Sequence, residues 1–265
     1  MTPDDIDSIE KEVIKTLNTN NSLFPIRFGK DADKQGMIIL NHFQNTETME
    51  SLIILAKNGK SGDTGMLARS IFESVLNTGL LLYLPSKEGV SKYRKFMSVE
   101  SLKVYTHMST IEKDVAEKIY KPSEIKKYER DAKEYEAKYG KPKSTWSGLS
   151  AVDICKLLDV KMPPVIKTDH FFEFLYCQVY RYGSAAIHRS QMGLLRNISI
   201  LTKSLFDGKS VHSMKAREEG LIFNYFHGLV SFIASMRLLG EAFKIVALEA
   251  YFQKRIGFLI GGYPE

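Results

Sequence analysis

Apolar residues recur every three to four positions along most of the chain, and the two-residue alternation of surface strands is rare. This spacing predicts an all-α protein built as a multi-helix bundle, because each helix buries one apolar stripe against its neighbours. The predicted helices cover about residues 3–17, 31–57, 63–84, 87–119, 123 onward, 150–159, 168–189 and 214–256, with a further helix left open over 194–206.

These helices are predicted to form one domain over residues 31–256, preceded by a helix and loop over 1–30 and followed by a tail over 257–265. Within the domain, residues 111–143 are predicted to project as an exposed helical hairpin. Ten basic and eight acidic residues fall between Glu112 and Lys143, with few aliphatic ones. Such a segment is either a solvated, ion-paired surface or an arm that binds a partner protein.

The most apolar stretch, Leu221 to Tyr251, contains Arg237, Glu241 and Lys244. It therefore lacks the long uncharged run of a membrane span and is predicted to be a core helix, without membrane contact. The two cysteines of the chain form neither a metal-binding pattern nor a disulfide framework, which favours a reducing, cytoplasmic location.

Positive charge is concentrated in one segment. Between Arg181 and Arg217 there are seven basic residues and one acid, Asp207, an excess that equals the net charge of +6 for the whole chain. A local field of this kind favours an anionic partner such as RNA, DNA or a nucleotide, although a solvated basic surface would have the same composition.

The helix predicted around residues 168–189 carries a line of polar side chains. At α-helical spacing, one face presents Cys177, Tyr180, Ser184 and His188. Arg181, seven residues before His188, shares that face. Burying such groups without partners is costly, so they either bond to one another and to a neighbouring helix or form a ligand site.

Two further groups are candidates for this site. Arg69 and Glu73 are spaced as an intrahelical ion pair, which could also orient Arg181 or His188 if it faces inward. Trp146, the single tryptophan, either fills the edge of a core or stacks on a base.

Several other chemistries find no support in the sequence. It contains no P-loop, dinucleotide-binding glycine motif or HExxH motif, and the six histidines are scattered singly, so neither a cofactor nor a metal site is predicted. A nucleophilic pair of Ser184 and His188 would lack an identifiable orienting acid.

Three short motifs, taken in order, carry a family resemblance. Arg69-Ser-Ile-Phe-Glu73, then Trp146-Ser-Gly148, then Tyr180 with Ser184 and His188, resemble the bacterial "domain of unknown function 5677" family over about residues 33–251. The resemblance implies a helical fold and assigns no activity.

Arg181 and His188 enclose six residues, and this spacing resembles the Arg-x4–6-His motif of the HEPN superfamily of helical RNA- and nucleotide-binding domains. Tyr182 departs from the small polar residue usual after the arginine. The resemblance implies metal-independent RNA cleavage by a homodimer, in which His188 moves a proton and Arg181 holds the phosphate, with Tyr180 and Ser184 as supporting groups.

The same resemblance implies a role as a toxin in bacterial stress or phage defence. Arg189 begins the basic segment that would attract the RNA backbone. The alternative is a regulatory module that binds a nucleotide or a protein without turnover and uses residues 111–143 for docking.

Overall fold

The computed structural model describes residues 11–12, 14–19, 29–162, 170–181 and 211–259. Over these residues the chain is almost entirely helical and contains no strand, which confirms the predicted all-α class. The chain divides into two compact units. The larger consists of Met1–Tyr83 with Ile154–Glu265, and the smaller is Leu84–Asp153.

After a helical stretch within residues 11–19, the helices follow in chain order. They are α1 (Ala32–Lys57), α2 (Ser61–Tyr83), α3 (Ser86–Ile111), α4 (Lys113–Ile119), α5 (Pro122–Tyr139), α6 (Ala151–Lys161), α7 (Phe171–Leu175), a π-helix (Tyr176–Arg181), α8 (Val211–Phe243) and α9 (Val246–Leu259).

The core of the larger unit forms where α8 packs against α1 and α2. Leu52 of α1 and Phe232 of α8 are fully buried there. A Cβ atom at Gly228 would lie 2.6 Å from Leu52 Cδ1, so any side chain at that position would require Leu52 to move. Burial along α8 agrees with its prediction as a core helix.

A set of polar side chains lies inside this core and is called the inner polar cluster: His42, Asn45 and Ser235. His42 Nδ1 lies 2.8 Å from Ser235 Oγ, and the Asn45 amide donates to the same hydroxyl at 3.0 Å. The His42 ring stacks on Phe232 with centroids 5.6 Å apart. Burial lowers the pKa of His42 to about 4, so the ring is neutral at physiological pH.

In the smaller unit, α4 and α5 pack against α3. Trp146 is only 4% exposed and meets the edge of Tyr93, with ring centroids 5.2 Å apart. The Tyr135 hydroxyl donates to the Trp146 carbonyl at 3.1 Å. Contacts between aromatic side chains therefore hold one face of the hairpin of residues 111–143. Most of its other residues are exposed.

Two predicted helices are each broken in the structure. The prediction of one helix over 87–119 is wrong because Glu112 is extended, with φ −149°, and separates α3 from α4. The prediction of one helix over 214–256 is wrong because Lys244 is left-handed, with φ 56°, and the Ile245 N–H closes the end of α8 on the Gly240 carbonyl at 2.8 Å.

Helix ends show smaller differences. The helix predicted from residue 123 onward begins at Pro122 as α5, and the Glu124 carboxylate accepts the Lys121 N–H at 2.9 Å. Residues 18 and 19, predicted as loop, are helical. The open helix prediction over 194–206 lies outside the described residues.

One described helix, Gly220–Phe243 within α8, is long and apolar enough to cross a membrane by those criteria alone, and 78% of its most apolar window is buried inside the protein. A core helix has the same properties, so this finding is weak evidence of membrane insertion.

Candidate functional site

The candidate site is built where the π-helix packs on α2, with a smaller contact to α8. A π-helix bonds each amide to the carbonyl five residues back, which makes a wider turn than an α-helix. The preceding α7 begins at Phe171, where the Asp159 carboxylate accepts the N–H groups of Phe172 and Glu173 at 2.7 and 3.0 Å. This cap fixes the start of the helix that presents the site.

The prediction of a regular α-helix through residues 168–189 is wrong at residues 176–181. In the wider turn, the neighbour of Tyr180 is Tyr176, whose ring stacks on it with centroids 5.2 Å apart and planes 20° apart. Cys177, predicted to share the face of Tyr180, is exposed.

Arg69 joins this aromatic pair from α2. Its Nε and Nη2 atoms donate to Glu73 Oε1 at 2.9 and 2.8 Å. Its guanidinium carbon lies 4.4 Å from the centroid of the Tyr180 ring, within cation–π range. We call Arg69, Glu73, Tyr176 and Tyr180 the Arg69 cluster.

The Arg69 side chain is only 12% exposed, whereas that of Glu73 is 42% exposed. The Arg69–Glu73 ion pair is therefore partly buried. Its i, i+4 spacing alone was also compatible with a fully solvated pair. The alternative that Arg69 and Glu73 face inward and orient Arg181 is supported in part. Arg69 contacts the π-helix that carries Arg181, and the contact is made with the Tyr180 ring.

One buried polar atom of the cluster has no hydrogen-bond partner among the described residues. Arg69 Nη1 is buried and makes no hydrogen bond within the described part of the chain. A buried donor of a charged group without a partner costs free energy, and sites where this occurs are often completed by a ligand. The chemistry of that donor suits an anionic oxygen, above all a phosphate or carboxylate.

The predicted site residues divide into three groups. Arg69, Glu73 and Tyr180 are brought together, and Arg181 follows directly as an exposed side chain at the end of the π-helix. Trp146, also a candidate site residue, is buried in the smaller unit, which corresponds to the first of its two alternatives, filling the edge of a core. Three of the site predictions fall outside the described residues, namely Ser184, His188 and Arg189.

Two features escaped the sequence reasoning. Tyr176 was missed although it lies four residues before Tyr180, a spacing that places two side chains together even on a regular α-helix. Asp159, His170 and Glu173 were missed as well. Their ligand atoms lie within 4.8 Å of one another, a grouping that could hold a metal ion although no metal was predicted.

The comparisons with known proteins give one match. No curated protein and no solved structure matches the chain significantly. The family model described as "Family of unknown function (DUF5677)" matches residues 35–204, which include most of α1, all of α2 to α7 and the π-helix. That range contains all the motifs on which the resemblance depended, and the chain belongs to the DUF5677 family.

Proposed function

We propose that this chain binds RNA at the Arg69 cluster and cleaves it without a metal, using His188 and Arg181, as a HEPN-like protein of a bacterial stress or phage-defence system. The observation that carries the proposal is the buried, unpartnered Nη1 of Arg69 beside a stacked pair of tyrosines. A guanidinium donor recognises the phosphate of RNA, and a pair of stacked tyrosines recognises a base.

The guanidinium supplies the phosphate contact. Glu73 and Tyr180 already hold it in place, so little side-chain entropy is lost when an anion binds. A charge-assisted hydrogen bond from the remaining N–H contributes about 1.5–3 kcal/mol when the donor is otherwise buried and unpaired. Arg181, exposed at the end of the π-helix, adds a second cation for the backbone.

The tyrosines supply the base contact. Tyr176 is half-buried and its ring lies parallel to Tyr180, so the pair is held as a rigid aromatic surface. Stacking of a base on an aromatic side chain contributes about 1–3 kcal/mol and depends little on the base. This predicts binding of single-stranded RNA with weak sequence preference.

The cleavage step uses residues that the resemblance supplies. His188 would take the proton from a ribose 2′-hydroxyl, whose oxygen then attacks the adjacent phosphorus as the bond to the 5′-oxygen breaks. The 5′-oxygen takes up a proton, and the products are a 2′,3′-cyclic phosphate and a 5′-hydroxyl. Arg181 would stabilise the charge that develops on the phosphate, so no metal is needed.

The test separates binding from cleavage. Total RNA and tRNA are incubated at low salt with excess EDTA, using wild-type protein and the His188→Ala variant. We expect cleavage with cyclic-phosphate ends by the wild type and none by the variant. Full cleavage by His188→Ala would overturn the assignment.

RNA binding is measured separately, by fluorescence polarisation of a labelled single-stranded RNA. Arg69→Met keeps the buried stem but removes the donor, and we expect its affinity to fall about tenfold to a hundredfold. Arg130→Ala, an exposed arginine of the hairpin, is the matched control and should bind like the wild type. Equal affinity of all three proteins contradicts the proposed binding site.

A second candidate function has support in the smaller unit. Ile111, Val115 and Ile119 are 73%, 41% and 58% exposed, an apolar surface along the end of α3 and α4. An open groove of about 430 Å³ lies beside it between α3 and α5. These features favour a regulatory module that docks a partner protein without turnover.

This alternative makes its own prediction. Replacing Ile111 and Ile119 by glutamate would abolish capture of that partner, and neither the wild type nor this variant would cleave RNA. Absence of cleavage by the folded wild type, together with capture that these changes abolish, would favour the regulatory module over the ribonuclease.

A further inference from the structure

Three side chains of metal-ligand type meet between two helices of the larger unit. Asp159 lies near the end of α6, while His170 and Glu173 lie at the start of α7. Their ligand atoms are all within 4.8 Å of one another, and His170 Nδ1 is 3.0 Å from Glu173 Oε1. Donors bound to one zinc ion at about 2.0–2.2 Å lie roughly 3 Å apart. Two of the three atoms are therefore already at a suitable spacing, and the third needs a small side-chain rotation.

Asp159 is held in orientation by the backbone. Its two oxygens accept the Phe172 and Glu173 N–H groups, and each carboxylate oxygen keeps a second lone pair. Hydrogen bonds of this kind orient metal ligands and are part of most metal sites. Capping of α7 places Asp159 against the backbone of Phe172 and Glu173, and the contact of His170 with Glu173 brings the nitrogen donor to the same place.

A buried cysteine lies near the three side chains. Cys155 is one turn before Asp159 on α6, is fully buried, and carries a free thiol. Burial raises its pKa, and the nearby carboxylates of Asp159 and Glu173 and the thiol of Cys177 raise it further. Cys155 is not one of the three grouped donors, and the preference for zinc rather than magnesium or calcium rests on the His170 imidazole nitrogen beside two carboxylates.

We propose that Asp159, His170 and Glu173 bind one divalent transition-metal ion, with zinc preferred, and that the ion fastens the end of α6 to the start of α7. The π-helix with Tyr180 continues directly from α7, so the ion fixes the origin of the helix that presents the Arg69 cluster. No residue is shared with that cluster, and the ion takes no part in the cleavage step. The proposal stands or fails independently of RNA binding.

Direct binding provides the test. Protein without a polyhistidine tag is freed of metal with a chelator, and zinc, manganese and magnesium chlorides are titrated by calorimetry in the absence of RNA. We expect one zinc ion per chain, weaker manganese and no magnesium binding. His170→Ala and Glu173→Gln should each lose at least about tenfold in zinc affinity.

His107→Ala is the matched control, because His107 is an exposed histidine of α3 in the other unit. It should bind zinc like the wild type. His170 is 73% exposed on its side chain, so its replacement should not unfold the protein, which circular dichroism checks.

Three outcomes would overturn the proposal: no zinc binding by folded wild-type protein, equal binding by His170→Ala and the wild type, or a loss in His107→Ala as large as in His170→Ala.

Discussion

Two polar clusters of the larger unit use similar groups for different ends. The inner polar cluster joins α1 to α8, and the buried polar atoms of His42, Asn45 and Ser235 all have partners. The Arg69 cluster joins α2 to the π-helix, stays partly exposed, and leaves Arg69 Nη1 without a partner in the described part of the chain. A satisfied network fixes how helices pack, whereas an unsatisfied one retains binding capacity for a ligand.

The largest effect should come from breaking the inner polar cluster. Ser235→Ala removes the hydroxyl bonded by both His42 and Asn45, and we expect it to lower the free energy of unfolding by about 3 kcal/mol, because two buried polar groups lose a partner. Urea denaturation measures this.

Ser231→Ala provides the control on the same helix. Among the described residues its hydroxyl bonds to the His227 carbonyl alone, so the loss should stay below about 1 kcal/mol. Equal losses in the two variants would show that the shared hydroxyl of Ser235 has no special role.

A smaller effect should appear on acidification. The folded-state pKa of His42 is about 4, below the value of about 6.5 in the unfolded chain, so the unfolded chain binds more protons between these values. The free energy of unfolding therefore decreases as pH falls from 6.5 towards 4. At pH 5, titration of His42 lowers it by about 2 kcal/mol. The lowered pKa of His227 acts in the same direction.

Urea denaturation at pH 7 and pH 5 of the wild type and His42→Gln isolates this term. The wild type should lose about 2 kcal/mol more than the variant between the two values. The same loss in both proteins would mean that other groups cause the acid sensitivity.

The smallest effect on stability should come from the Arg69 cluster. Arg69→Met removes an ion pair with a partly exposed partner and one cation–π contact, which together contribute less than about 1 kcal/mol. The thermal midpoint of this variant should therefore change little while its RNA affinity falls. A loss as large as that of Ser235→Ala would make Arg69 a structural residue and remove the contrast between the clusters.

Regular helical periodicity was sufficient to predict most of the fold. Helices α1 and α2 begin and end within two residues of their predictions, because stop residues such as Pro85 and the Asn58-Gly59 pair mark their ends. The breaks at Glu112 and Lys244 escaped prediction, since neither is a glycine or proline and the apolar pattern continues across them. The residue types near a position do not predict a helix break that contacts with other parts of the protein impose.

The candidate site was predicted only in part for a similar reason. The spacing of Arg69 and Glu73 was sufficient to predict their ion pair. The contact of Arg69 with Tyr180 could not be predicted in this way, because the two residues are more than a hundred positions apart. The π-helix could not be predicted because nothing in its sequence distinguishes it from an α-helix. Asp159 and His170 come together only through the packing of α6 and α7, and no spacing rule links them.

The arrangement of α1, α2 and α8 also has a consequence for synthesis. The apolar faces of α1 and α2 are completed by α8, which begins about 130 residues after α2 ends. At about 5–20 residues per second, a ribosome needs roughly 6 to 25 s to make that interval. During this time the nascent α1–α2 pair lacks α8 against its apolar surface, whereas the smaller unit is contiguous in sequence. We therefore expect chaperones to raise the yield of the larger unit more than that of the smaller one.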